Sequence, residues 1–268
     1  MYLIPQPTGG FYMAGKIKQR TSTSHKSQRR RQFQDEPREF ENIVPLNAQP
    51  FHKPQPIIAQ NEAQKRYINA IRTQTITFAS GPAGVGKTWL AGALAAEQLT
   101  GRKIEKIIIT RPAVEAGEKL GFLPGEIEEK YAPYLAPFRD VLDERLGKSF
   151  VDLALKRGKI EAAPFAYMRG RTFKNALVIL DEAQNTTPTQ MKMFLTRIGE
   201  NCTVVVNGDL NQKDIPGMSG FEDAIKRLSF IPSISHVKFD HNDVVRSDIV
   251  QEIVQAYEEG PDPVYNAR

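Results

Sequence analysis

The chain has 268 residues, 40% apolar and 25% charged, enough for one core of ordinary size. A single cysteine, Cys202, excludes an intramolecular disulfide and a cysteine cluster for zinc, and the four histidines show no metal-ligand spacing. The formal charge of +5 is unevenly spread: residues 1–34 hold seven lysines and arginines and no acid, which leaves −2 for the rest. No apolar run approaches the roughly 20 residues of a membrane span. The opening MYLIPQPTGGFYMAG, broken by Pro5 and Pro7, lacks the form of a secretory leader, so a cytoplasmic protein is expected.

Residues 1–36 form a basic tail rich in Ser, Thr and Gln, with too little apolar surface to fold alone; disorder is expected there. The tail reads either as an arm drawn to nucleic acid or as a solvated leader, part of it preceding an alternative start at Met13. Pro37, Pro45, Pro50, Pro54 and Pro56 mark 37–58 as an extended connection. From 59 to 260 helix and strand signals alternate, and 261–268 is a short tail. QNEAQKRYINAI predicts a helix, TITFASG a strand, Lys87–Leu99 a helix, and KIIITRP a strand closed by Pro112. Two further prolines within Pro124–Leu146 predict two helical pieces. KIEAAPFAY, ALVILDEA, CTVVVNGD and SHVKFD are strand candidates, with helices around 188–198, 218–229 and 244–257. Such alternation, with near-continuous apolar strands, predicts an α/β fold: a mostly parallel sheet covered by helices on both faces. No solenoid-type repeat is present.

GPAGVGKT, comprising Gly81, Pro82, Ala83, Gly84, Val85, Gly86, Lys87 and Thr88, matches G-x-x-x-x-G-K-[ST] between a predicted strand and helix. The glycines let backbone N–H groups approach phosphates, and the helix N-terminus adds its positive end. Lys87 would reach the β- and γ-phosphates of a nucleotide, and Thr88 would offer its hydroxyl to Mg²⁺. Trp89 follows directly; it is counted with the loop and expected to pack in the core. Downstream, the apolar run Ala176–Leu180 ends in Asp181-Glu182, at the strand edge where open α/β sheets bind ligands. Asp181 would hold Mg²⁺ and Glu182 would polarise an attacking water. A third apolar strand ends at Asn207-Gly208-Asp209, where Gln212, with Asp209 beside it, is the candidate γ-phosphate sensor; a plain turn is the alternative. Thr187-Pro188 fits an N-cap followed by proline at the first helical position, so that helix starts at the site. Cys202 reads as a buried small hydrophobe, and Asp240, His241 and Asp243 as a polar loop rather than a metal site.

These elements, in this order, resemble superfamily 1 helicase motors and, more closely, the PhoH-like ATPases. The resemblance spans roughly residues 57–259 and rests on IIITRPAVEAGEKLGFLPGEIEEKYAPYLAPFRD, IEAAPFAYMRGRTF, LDEAQNTTPTQMKMFLTRIG, NGDLNQKDIP and DVVRSDIVQEIVQAYE. It implies a RecA-like core, ATP binding and hydrolysis, and an association with phosphate-starvation genes and RNA metabolism. It further implies that Gln64 reads the adenine edge and that Thr110 and Arg111 touch a nucleic-acid backbone. Arg169 and Arg171 would do the same or reach a neighbouring subunit's nucleotide, and Arg246 would act as a γ-phosphate arginine. Some relatives carry a PIN nuclease domain; residues 1–56 are too short and polar for one, so nuclease activity is not expected.

Superfamily 1 translocases place ATP between two RecA-like domains, and this chain has room for one. A homo-oligomeric ring, a hexamer by resemblance, is therefore expected to complete each site with a neighbour's arginine, a contribution of roughly 10³–10⁵ in rate in related reactions. The expected function is Mg²⁺-dependent ATP hydrolysis coupled to translocation on, or remodelling of, RNA or single-stranded DNA. The rivals are a nucleotide-gated scaffold that recruits a partner such as a nuclease, and a P-loop kinase of small molecules, which would not need Glu182. If all seven tail cations engage a single strand, the salt slope of binding is about −0.7 per charge, or roughly −5. Deleting residues 1–34 should then flatten it sharply, and an unchanged slope assigns the tail to the solvent.

Overall fold

The structure, a computed structural model, describes residues 55–112 and 127–245, the side chains of 127–133 excepted. The basic tail, most of the proline-rich connection, residues 246–257 of the helix expected at 244–257, Arg246 among them, and the C-terminal tail lie outside the described residues; Val244 and Val245 are described and are not helical.

Six strands form one sheet: β1 (Ile76–Ser80), β2 (Lys106–Arg111), β3 (Ile160–Pro164), β4 (Ala176–Leu180), β5 (Cys202–Gly208) and β6 (Ile234–Lys238). Their order is β3-β2-β4-β5-β1-β6, and every pairing is parallel. The continuous apolar runs follow from burial on both faces. Alternate side chains of β4 part accordingly: Leu177 and Ile179 enter one core, Ala176, Val178 and Leu180 the other. The first core is covered by α1 (Glu62–Thr73), α2 (Lys87–Thr100), α3 (Ile127–Leu146) and α4 (Lys148–Lys156). The second is covered by α5 (Pro188–Leu195) and α6 (Gly220–Leu228). The expected α/β architecture is present.

Two elements differ from expectation. Residues 127–146 form one helix, not two, although Pro133 and Pro137 each remove a backbone donor. Its C-terminal half is held by burial of Leu135, Phe138, Val141, Leu142 and Leu146, which outweighs the lost hydrogen bonds. Helix α4 was not expected from the sequence; its N-cap is Gly147 at φ 84°, with no side chain capping it, so the usual start signal is missing.

Register decides what meets at the C-terminal edge. Ser80 pairs with Gly208 and Leu180 with Val206, so the ends of β1, β5 and β4 lie side by side, with β5 between the other two. Helix α5 leaves this edge through a capping box: the Thr187 side chain accepts from Gln190 N, and Gln190 accepts from Thr187 N. Helix α6 packs directly against that turn. Gly220 N donates to Thr186 O at 2.6 Å, and a Cβ at Gly220 would sit 2.3 Å from Thr187 O. A backbone oxygen cannot yield as a side-chain tip does. Gly220→Ala is therefore expected to destabilise the protein by about 1–3 kcal/mol, read as a lowered urea midpoint.

Candidate functional site

The loop from Gly81 to Gly86 delivers the chain from β1 into α2. Gly86 is the N-cap of α2, held at φ 87°, and no side chain caps the helix. That conformation suits glycine, and a Cβ there would lie 3.0 Å from Gln64 Nε2. The N-terminus of α2 thus keeps its backbone donors clear of side-chain oxygen, as an anion cradle requires. Ala83, Gly84, Gly86, Lys87, Thr88 and Trp89 line a cleft of about 260 Å³. Asp181, Glu182, Gly208, Asp209 and Gln212 line it from the other side. Val85 is instead fully buried in the core. Trp89 is 39% exposed at the cleft, so the expectation that it packs in the core is corrected. Its place on the first turn of α2, directly after the loop, turns it toward the opening.

Lys87 Nζ donates to the carbonyls of Gly81 at 2.6 Å and Pro82 at 2.7 Å. Burial lowers its pKa; the carboxylates of Asp209, Asp181 and Glu182 oppose that shift. Thr88 Oγ1 donates to Asp181 Oδ2 at 3.4 Å. A hydroxyl and a carboxylate across an open cleft, beside a phosphate-type cradle, are the hard oxygen donors Mg²⁺ takes, so these residues fit Mg²⁺ and a nucleotide. Asp181 is 7% exposed, and its pKa is pushed up to about 6 by burial and then by the charge of Glu182, against the pull of Arg111 and Lys87.

Glu182 adopts left-handed backbone angles, φ 53° and ψ 37°, which a non-glycine residue holds only when its surroundings impose them. Its Oε1 lies 3.2 Å from Arg111 Nη2, and its Oε2 accepts from Gln184 Nε2 at 2.6 Å. Gln184 Nε2 also reaches Gln212 O at 3.3 Å, and Gln184 Oε1 accepts from Asp209 N at 3.0 Å. Gln184 therefore ties the acid-ended strand to the loop after β5. Gln212 is exposed at the cleft; the Asp209 carboxylate accepts from Asn211 N at 3.0 Å, so Asp209 both forms the turn and lines the cleft.

Other expected residues fall differently. Gln64 is buried, with Nε2 donating to Val85 O at 3.1 Å and Oε1 accepting from Gln60 N at 2.9 Å, so its amide braces the loop. Thr110 is fully buried, and its carbonyl accepts from Asp181 N at 3.0 Å. It supports the acid rather than presenting a surface to a polymer, which corrects its expected role. Arg171 forms a two-pronged pair with Glu161 and lies 6.0 Å from the Phe173 ring centroid. Arg169 is exposed. Cys202 is buried, its thiol pushed up to about 11 by burial. Asp240 and Asp243 close a capping box, as a polar loop would. Sequence reasoning missed Tyr67 and Asn207: the Tyr67 hydroxyl donates to Asn207 Oδ1 at 2.6 Å, and both residues are fully buried. The available signal was an asparagine closing the apolar run of β5.

A parallel sheet with β5 between the P-loop strand and the acid-ended strand, and a cleft across their ends, defines a RecA-like P-loop protein. The family model described as PhoH-like protein matches residues 56–258. The chain belongs to the PhoH-like family. It is 54% identical over 206 residues to "Protein PhoH" of Escherichia coli (strain K12), covering 75% of this chain and 58% of that protein. To the "PhoH-like protein" of Bacillus subtilis (strain 168) it is 47% identical over 221 residues, covering 82% and 68%. The chain therefore spans less than two thirds of its E. coli relative. Among solved structures, the Pif1 helicase from Candida albicans aligns at 13% identity and TM-score 0.41, over 75% of this chain and 44% of that one. No helix among the described residues is long and apolar enough to cross a membrane.

The raised pKa of Asp181 has a stability consequence in metal-free buffer. The folded state binds its proton more tightly than the unfolded state, whose value is near 3.8, so folding is favoured below that pH and loses this contribution as pH rises to about 6. Asp181→Asn is therefore expected to stabilise the chelator-treated protein at pH 7.5 by about 1–3 kcal/mol. The gain should vanish at pH 3.5 in thermal unfolding.

Proposed function

We propose that the chain hydrolyses ATP with Mg²⁺ and couples hydrolysis to RNA or single-stranded DNA as one subunit of a homo-oligomeric ring. The observation that carries the hydrolytic reading is the strained Glu182, next to Asp181 and across the cleft from Lys87 and Thr88. Lys87 would hold the β- and γ-phosphates, and Thr88 and Asp181 would hold Mg²⁺, which when bound neutralises phosphate charge in the transition state. Glu182 orients a water and takes its proton as the water oxygen bonds to the γ-phosphorus; the bond to the bridging oxygen breaks, and ADP leaves with the electron pair. Gln212, with Asp209, would register loss of the γ-phosphate through Gln184. Gln64 would serve the base by exchanging its bonds to Gln60 N and Val85 O for the adenine edge. Arg246, acting in cis or from a neighbour, would complete the charge, and Arg111 and Arg169 would meet the polymer at the edge of the sheet.

The engagement of both Glu182 oxygens by Arg111 and Gln184 favours a second reading, a nucleotide-gated scaffold with slow turnover. Steady-state ATPase assays with and without each polymer discriminate the two. The motor reading expects stimulation by one polymer and a loss of about 10²–10⁴ in Glu182→Gln. Unstimulated turnover supports the scaffold. Specific activity that holds constant on dilution to nanomolar protein would rule out the ring.

A further inference from the structure

Each oxygen of the Glu182 carboxylate already faces a side-chain donor, Arg111 on one side and Gln184 on the other. The two donors differ in kind. Gln184 is 1% exposed and tied to the loop after β5, so it is fixed. Arg111 is the last residue of β2, its side chain is 38% exposed, and its partner Glu182 is 34% exposed. Half-exposed ion pairs are weakly held and yield to a better-matched anion. A phosphodiester is such an anion: its two free oxygens fit the guanidinium fork, and it recurs along a strand.

We infer that Arg111 gates Glu182, holding the carboxylate until a phosphodiester of a single-stranded nucleic acid takes the guanidinium and frees Glu182 for the attacking water. This rests on the hydrolytic reading above and deepens it: polymer contact and hydrolysis become one exchange of partners at Arg111. Arg111 is a positioning residue that acts through Glu182. The competition is reciprocal, so whatever frees Arg111 from Glu182 tightens polymer binding.

The test is a double-mutant cycle read by fluorescence anisotropy on nucleotide-free protein, with labelled single-stranded RNA and DNA and with inorganic phosphate as competitor. Glu182→Gln is expected to bind one of the polymers about 5- to 10-fold more tightly than wild type, and Arg111→Gln should abolish that gain. In ATPase assays Arg111→Gln should raise polymer-free turnover several-fold and remove polymer stimulation. Arg111→Lys, which keeps the charge, should retain polymer binding and guards against a folding defect. A gain in Glu182→Gln that persists in the Arg111→Gln background is general relief of repulsion and overturns the gate. So does polymer-free turnover that falls or stays the same in Arg111→Gln, or full stimulation by inorganic phosphate alone. Wild-type protein without Glu182-dependent turnover sinks the hydrolytic reading and the gate with it, whereas normal turnover with a flat cycle sinks the gate alone.

Discussion

Two carboxylates, Asp181 buried and Glu182 half-exposed, stand side by side at the end of a strand that is apolar on both faces, and their mutual repulsion is the constraint around which the site is built. Burial and the neighbouring charge raise the pKa of Asp181, while burial lowers that of Lys87 across the cleft. Arg111 and Lys87 pull Asp181 part of the way back toward its charged form, and the three carboxylates do the same for Lys87. Such a group of charges contributes little to folding, because removal from water offsets most of the attraction. The left-handed backbone at Glu182 adds a further cost of order 1–3 kcal/mol. The sheet and its two helical layers must hold these residues in place, since their own interactions do not.

The way they are held also fixes where a change at the site can travel. Gln184 touches Glu182, the backbone of Asp209 and the carbonyl of Gln212, and its own carbonyl accepts from Ser219 Oγ at 2.8 Å. Ser219 caps α6, and the next residue, Gly220, is pressed against the turn that starts α5. Asn185 extends the connection, bonding to both the backbone and the carboxylate of Asp214. The Glu182 carboxylate is thus joined through Gln184 to α6 and the turn that starts α5, whereas α1 reaches other parts of the site through the Gln64–Val85 and Tyr67–Asn207 bonds, and α2 supplies Lys87 and Thr88 directly. Movement of the Glu182 carboxylate would be felt first on the α5–α6 side of the sheet.

The strands, the loop from Gly81 to Thr88 and the acid pair were legible because each is written in consecutive residues: an apolar run, a glycine spacing, an abrupt change to charge. What was not legible depends on partners distant in sequence. Nothing near Arg111 announces Glu182, and nothing in MRGRT announces that Glu161 takes Arg171 while Arg169 stays exposed. Thr110 was expected, by resemblance, to touch a nucleic-acid backbone, yet the pairing of β2 with β3 and β4 leaves it no exposed area. Trp89 looked like core by composition alone. Prolines at 133 and 137 suggested a break because local hydrogen bonding was weighed without the burial of Phe138, Val141 and Leu142 that holds the helix together.

Asn207 carries the same logic to the middle of the site. It sits at the end of β5, between the P-loop strand and the acid-ended strand, with its Oδ1 fixed by the Tyr67 hydroxyl. Its Nδ2 is buried with no hydrogen-bond partner among the described residues, an arrangement that costs about 1–3 kcal/mol relative to a satisfied amide. An apolar residue there would avoid that cost and would suit the run Val204–Val206. A strained glutamate, an aspartate displaced in pKa and an asparagine with a spare donor therefore lie on adjacent strand ends, each unfavourable for folding. Their concentration at one edge of a sheet whose faces are packed mainly by apolar side chains is what separates this cleft from an ordinary turn between strand and helix.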